Sequence, residues 1–213
     1  MTSDATARTG TLPRLPRWLT RTVLNFSNLP AVLVWLFLVF YQSALAITAF
    51  SPSAPFLVLI NTVALFFFIT RRDATKVGTK LEGVIALGGT FVASLLHGPK
   101  LADTQVVPTA IQMAGLLGWV VALVALGRSL GIAPADRGLV RHGPYRFIRH
   151  PIYAFEALFF LGMVVAVPGI HNILVMSIWG TLQVIRIFRE ERILGGYEEY
   201  RRRVRWRVIP FVW

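Results

Sequence analysis

Gly143-Pro144-Tyr145-Arg146-Phe147-Ile148-Arg149-His150-Pro151 is a basic, aromatic turn that runs directly into an apolar stretch. Pro151 suits the first turn of a helix, where its missing N–H removes no hydrogen bond. The helix it opens ends at Pro168-Gly169. Asn172 restarts the chain as a second helix that returns toward Glu190-Glu191. His150 to Pro168 and Asn172 to Glu190 are each 18 residues, so at 1.5 Å per residue each arm is about 27 Å long. Equal arms in an antiparallel hairpin bring His150 and Tyr153 beside Arg186, Glu190 and Glu191.

The solvent of that hairpin follows from composition. The chain is 55% hydrophobic and 15% charged, and its mean hydropathy is +0.61. These values point to a bilayer. Six apolar stretches, near residues 29–50, 54–70, 81–97, 106–127, 152–168 and 172–188, approach the length that crosses roughly 30 Å of hydrocarbon. The second, third, fifth and sixth are short and gain length from flanking residues or a thinned bilayer. Backbone groups in lipid must bond internally, and alternating barrel strands are not seen. The expected fold is therefore all-α: a polytopic membrane helical bundle of about six transmembrane helices.

The net charge of +12 suggests nucleic acid until the charges are placed. In a six-span arrangement, 21 of the 22 basic residues fall on one side and only Lys100 on the other. This positive-inside pattern predicts both termini in the cytoplasm, and an inner-membrane location if the source is bacterial. It explains the basicity by topology and attraction to anionic lipid, leaving no call for nucleic acid. There are no cysteines, which excludes disulfides and thiol chemistry. Residues 29–41 followed by Ser43-Ala44-Leu45-Ala46 resemble a signal peptide with a cleavage site. The 28 residues ahead are long for an n-region and the run continues through Phe50, so an uncleaved span is expected.

Three regions follow: a tail at 1–28, four helices over 29–127, and a loop, hairpin and terminal segment over 128–213. Spans one and two are joined by Ser51-Pro52-Ser53. Ala110, Ala114, Gly118 and Ala122 form a small-residue stripe on the fourth span, suited to packing within the monomer or to a homodimer face. Residues 128–149 form a polar loop long enough to suggest function.

The turn itself offers chemistry. His150 and Tyr153 share a helix face, and the helix start offers free N–H groups and partial positive charge. Arg146 and Arg149 add donors, Glu190 and Glu191 acceptors, and Tyr145, Phe147 and Tyr153 aromatic faces. A zwitterion with an aromatic base and hydroxyls fits, as S-adenosyl-L-methionine does. A nicotinamide dinucleotide also fits, since arginines and a helix start suit phosphates. The plainer reading makes Arg186, Arg189 and Arg192 interfacial anchors or helix-surface ion partners, and the aromatics belt residues. Asn61, Gln112 and Gln183 are expected to form interhelical bonds, and His97 and His171 to lie far from this site at the outer face. No metal spacing and no Gly-rich phosphate loop is present. Glu156, inside a span, is a functional candidate because a membrane carboxylate is costly.

Residues 138–151, Gly-Leu-Val-Arg-His-Gly-Pro-Tyr-Arg-Phe-Ile-Arg-His-Pro, with Ile152-Tyr153, resemble the hallmark of the isoprenylcysteine carboxyl methyltransferase family, relatives of the phospholipid N-methyltransferases. The second half of that hallmark is matched by Glu190-Glu191, Leu194, Gly196, Tyr200, Arg203-Val204 and Pro210. The resemblance spans about residues 115–213. It implies an integral membrane methyltransferase whose S-adenosylmethionine pocket is built from the C-terminal hairpin and flanking loops. His150, Pro151, Tyr153, Glu190 and Glu191 would line that pocket, with Gly143 and Tyr145 near it. Arg149 and Arg203 would hold the substrate or the cofactor carboxylate, and a lipophilic or lipidated acceptor would enter between helices. The family has Gly where this chain has Phe155. The acid that follows, Glu156, is similar to the C-terminal pattern of sterol reductases, which implies NADPH-dependent reduction as the alternative. A non-enzymatic assembly protein is the third class. A carboxylate acceptor needs no base, whereas an amine acceptor needs one, and Glu156 or Glu190 is the candidate.

Overall fold

The computed structural model describes residues 29–49, 53–98 and 105–213, with side chains throughout except at 29–31, 42 and 45–49. The tail at 1–28, the Ser51-Pro52 turn and Lys100 lie outside the described residues. Helix α1 (Leu29–Ala49) precedes α2 (Ala54–Thr70) and a two-residue strand β1 (Lys76–Val77). Then come α3 (Lys80–Phe91), a 3-10 turn Val92–Leu95, α4 (Val106–Leu126) and a 3-10 turn Gly127–Ser129. Strand β2 (Ala135–Asp136) and a 3-10 turn Gly143–Arg146 precede the hairpin of α5 (Pro151–Ala166) and α6 (Ile170–Ile193). A short α7 (Tyr197–Arg203) follows.

Local chemistry sets these limits. Thr79 and Glu82 form a reciprocal capping box that starts α3, satisfying two orphan N–H groups. The third apolar run does not continue as one helix. The Thr90 hydroxyl donates to Ala86 O and the Ser94 hydroxyl to Phe91 O, and the chain tightens into the 3-10 turn. Such local bonds compete with the helical ladder. Pro151 sits at the start of α5. Gly196, with φ of 69°, makes the left-handed turn between α6 and α7, a conformation that a Cβ disfavours.

α5 packs most extensively on α4, and glycine makes that contact possible. A Cβ on Gly115 would stand 2.5 Å from Phe159 N, and one on Gly162 2.9 Å from Pro108 O. α1 packs on α2, α2 on α4, and α3 on α6. Trp35, Phe68, Leu116, Phe159, Phe160 and Trp179 form the centre of the core. Outward faces are apolar too: Leu117, Val121 and Val124 of α4 are each more than half exposed. Of the described helices, Val106–Ser129 and Ile170–Ile193 are long and apolar enough to cross a membrane. Val32–Tyr41, Ala54–Thr70 and Pro151–Ala166 are apolar but shorter.

The polar residues of the apolar runs divide. Gln183 Nε2 donates to Gly89 O across α6 and α3. Asn61 instead donates to Leu57 O of its own helix, a correction to its expected interhelical role. Asn172 is buried and ties three segments, accepting from His97 N and donating to His97 O and Val167 O. His97 and His171 stack on each other with ring centres 4.1 Å apart.

Candidate functional site

A cavity of about 600 Å³ runs through the molecule, within the range of small-molecule sites. Trp35, Leu38, Ile60, Ala64 and Phe91 give it apolar wall, and its polar end is lined by Tyr145, Arg149, His150, Tyr153, Glu156, Arg186, Glu190, Tyr197 and Tyr200. The loop after α4 covers this space, with Ser129–Ala135 and Arg137–Val140 in its wall.

The motif turn is clamped from behind by the end of the chain. Ile148 pairs with Trp206 in a parallel bridge. Arg149 N donates to Trp206 O at 2.9 Å and His150 N to Arg207 O at 2.8 Å. Ala154 N donates back to His150 O at 3.2 Å, so the turn is fixed at both edges. From α6, Glu190 accepts the Tyr153 hydroxyl proton, while Glu191 Oε1 lies 3.3 Å from His150 Nε2.

The two carboxylates face different surroundings. Glu191 meets Arg149 Nη1 at 3.1 Å and Arg207 Nε at 3.0 Å, and its side chain is 9% exposed. Arg149 is equally committed: Nη1 donates to Tyr197 Oη at 2.8 Å and Nη2 to Arg205 O at 3.3 Å. Glu190 lines the cavity and its side chain is 22% exposed. Burial, then the bond and charge of Glu191, hold the Tyr197 hydroxyl far above its ordinary pKa. Burial, with the charge of Glu190 and then Tyr200, does the same for Tyr145. Both phenols stay neutral at any physiological pH.

The structure thus gathers Arg149, His150, Tyr153, Glu156, Glu190 and Tyr145 around one cavity, with Glu191 behind them. Pro151 is buried at the helix start and Gly143, with φ of 58°, packs against Ala125; neither is in the cavity wall. Arg203 lies away from it, exposed and bound to Glu199 at 2.7 Å. Phe147 is 67% exposed with the Arg146 guanidinium over its ring, so neither joins the group. Phe155 does not line the cavity; its ring covers Gly118, where a Cβ would stand 2.2 Å from Cδ1.

Sequence reasoning put Arg186 beside the turn but left it an interfacial anchor rather than a site residue. It is buried, donates to Gln183 Oε1 at 3.0 Å and to Ile132 O at 3.0 Å, and its guanidinium lies over the Tyr153 ring. Gly89 leaves room for it, since a Cβ there would stand 3.1 Å from Arg186 Cδ. Its spacing of three from Gln183 and four from Glu190 was the available signal. The loop 128–149 stands out in the sequence only by its length and polarity, and nothing there sets Arg207 apart.

Fold and site together define a helical protein with an amphiphilic cavity that is charged and aromatic at its polar end. Residues 109–198 match the phospholipid methyltransferase family model. That segment holds α4, the covering loop, the motif turn and both carboxylates. The match is thus to phospholipid methyltransferases, named above as relatives of the family whose hallmark the motif resembles. No curated protein matches the chain.

Proposed function

We propose that this chain is a multi-pass membrane methyltransferase, with cytoplasmic termini, that uses S-adenosyl-L-methionine to methylate the polar head of a lipid-like acceptor. The carrying observation is the continuity of the cavity: apolar walls lead to a polar end made by the motif turn and Glu190. The polar end suits the cofactor's chemistry. Glu190 offers an acceptor for an amino group or ribose hydroxyls, and Tyr145 and Tyr197 offer faces for a base. When bound, that cofactor supplies a methyl group on a sulfonium, open to in-line displacement.

The chain's own residues would then position and desolvate. Tyr153 holds the Glu190 carboxylate toward the cavity. Glu191, Arg149 and Arg207 lock the turn from behind. The loop 129–140 shields the polar end, and orientation of this kind contributes about 7–11 kcal/mol in favourable systems. Glu156 is buried in the cavity wall near the Arg186 guanidinium, whose hydrogen bonds go to Gln183 and Ile132. A carboxylate acceptor would meet like charge there, whereas an ammonium would find a counter-ion and a proton acceptor. An amine head is therefore the favoured acceptor, with Glu156 taking its proton before transfer.

Calorimetry on the purified chain tests the reading. S-adenosylhomocysteine is expected to bind and NADPH not to. The reverse would replace methyl transfer with reduction. Mass shifts in lipid extracts treated with labelled cofactor then identify the acceptor.

A further inference from the structure

A second group of charges stands at the rim of the cavity, where the end of α2 meets the covering loop. Arg137 Nη1 donates to Arg72 O at 3.2 Å. Arg72 itself reaches Gly138, where a Cβ would stand 3.2 Å from its Nη1. The Arg71 guanidinium lies 5.4 Å from the centre of the Phe68 ring. Backbone and side-chain bonds fix the frame: Arg72 N donates to Arg128 O at 2.8 Å, and Arg128 Nε to Thr70 O. Asp73 is the acidic neighbour and acts on Arg137. Four guanidiniums, those of Arg71, Arg72, Arg128 and Arg137, stand against the Asp73 carboxylate and leave excess positive charge; Arg71 and Arg137 are half-buried and Arg72 is exposed. At Arg71 burial first, and then the charge of Arg137, lower the pKa to about 10. Arg137 Nε is buried without a hydrogen-bond partner.

The rim and the cavity are continuous. Arg137 and Phe68 both line it, and Leu126, Leu130 and Ala64 extend apolar wall from there. An anion held at these arginines would therefore carry an apolar continuation into the cavity. Free phosphate lacks one, and a membrane lipid has one. Guanidinium forks match phosphate oxygens in pairs, and they hold best where water is partly excluded.

We propose that Arg71, Arg72 and Arg137 form an anion site at the cavity rim that holds the phosphate of a phospholipid acceptor. This rests on the lipid-methylating reading above and deepens it by assigning the residues that recognise the acceptor's phosphate. The arginines are specificity-determining residues for the acceptor and do not touch the methyl group in transit.

The test uses the full chain in neutral maltoside micelles, titrated by calorimetry with dioctanoyl phosphatidylethanolamine and, separately, with dodecylamine, which has no phosphate. Arg71→Gln and Arg137→Gln are each expected to weaken the phospholipid about tenfold or more, the loss of a charge-assisted contact, and to leave dodecylamine unchanged. Arg137→Lys keeps the charge and retains most of the binding. It also serves where the Gln variant unfolds. Arg202→Gln, an exposed change on α7, controls for bulk charge. Unchanged phospholipid binding in both Gln variants overturns the site, as does an equal loss in Arg202→Gln. Displacement of the lipid by equimolar inorganic phosphate would overturn the lipid as occupant. S-adenosylhomocysteine binding is measured on the same samples and stays intact in Arg71→Gln and Arg202→Gln. Its absence in the unsubstituted chain would defeat the methyltransferase reading without touching the anion site.

Discussion

Glu190 and Glu191 are neighbours in sequence and part company in space: Glu190 takes the Tyr153 hydroxyl at the cavity wall, while Glu191 is enclosed by Arg149, His150 and Arg207. One helical step of about 100° separates their side chains, enough to assign one to the ligand space and the other to the frame.

Substitution should therefore separate binding from folding. Glu190→Gln is expected to abolish S-adenosylhomocysteine binding while melting temperature stays within a few degrees. Glu191→Ala strands buried guanidiniums and should cost about 3–5 kcal/mol of stability, read by thermal unfolding in micelles. Equal effects on both properties at both positions would sink the distinction.

The seat of Phe155 gives a packing prediction. Gly118→Ala places a methyl against the Phe155 ring and should destabilise by about 1–3 kcal/mol. Phe155→Gly removes the ring and lowers stability as well. Because that ring is outside the cavity wall, S-adenosylhomocysteine affinity should not change. A changed affinity in the folded variant would place Phe155 back at the pocket.

Alkaline stability should be limited by a buried phenol. Tyr200 donates its hydroxyl to Tyr145 O at 2.6 Å, and burial raises its pKa from 10.0 to about 12. Its folded pKa is above the unfolded one, so its contribution is full below pH 10.0 and is lost as pH rises toward about 12. Tyr200→Phe loses about 1 kcal/mol at neutral pH and flattens the alkaline decline. A denaturant series across that range measures both.

Acid stability should answer to Asp136. Burial raises its pKa, but bonds from Gly138 N, Gly195 N and the Thr75 hydroxyl, with the charge of Lys76, outweigh it and hold the pKa below 3.8. The folded pKa is the lower one, so the contribution is present above pH 3.8 and disappears as pH falls through the folded value. Asp136→Asn should remove that acid dependence and speed amide exchange at Gly138 and Gly195. Unchanged exchange would show that the carboxylate does not hold the loop.

Much of this was legible in the chain because it depends on spacing. Pro151, Pro168 and Asn172 set the hairpin, and equal arms brought Tyr153 to Glu190. Burial and lateral contacts were not legible. Arg186 at a span end reads like any interfacial arginine; only the space left by Gly89 and the carbonyl of Ile132 draw it inside. Arg203 fits the motif but has Glu199 four residues away, a local partner that keeps it outside. The third apolar run looked continuous because hydropathy does not register that Thr90 and Ser94 bond back to the helix.

The clamp on the motif turn carries a consequence for biosynthesis. Arg149 and His150 are held by backbone carbonyls of Trp206 and Arg207, residues translated long after the turn itself. During synthesis α4, α5 and α6 are complete before those carbonyls exist, so the turn gains its outer clamp only after the helices that flank it have formed.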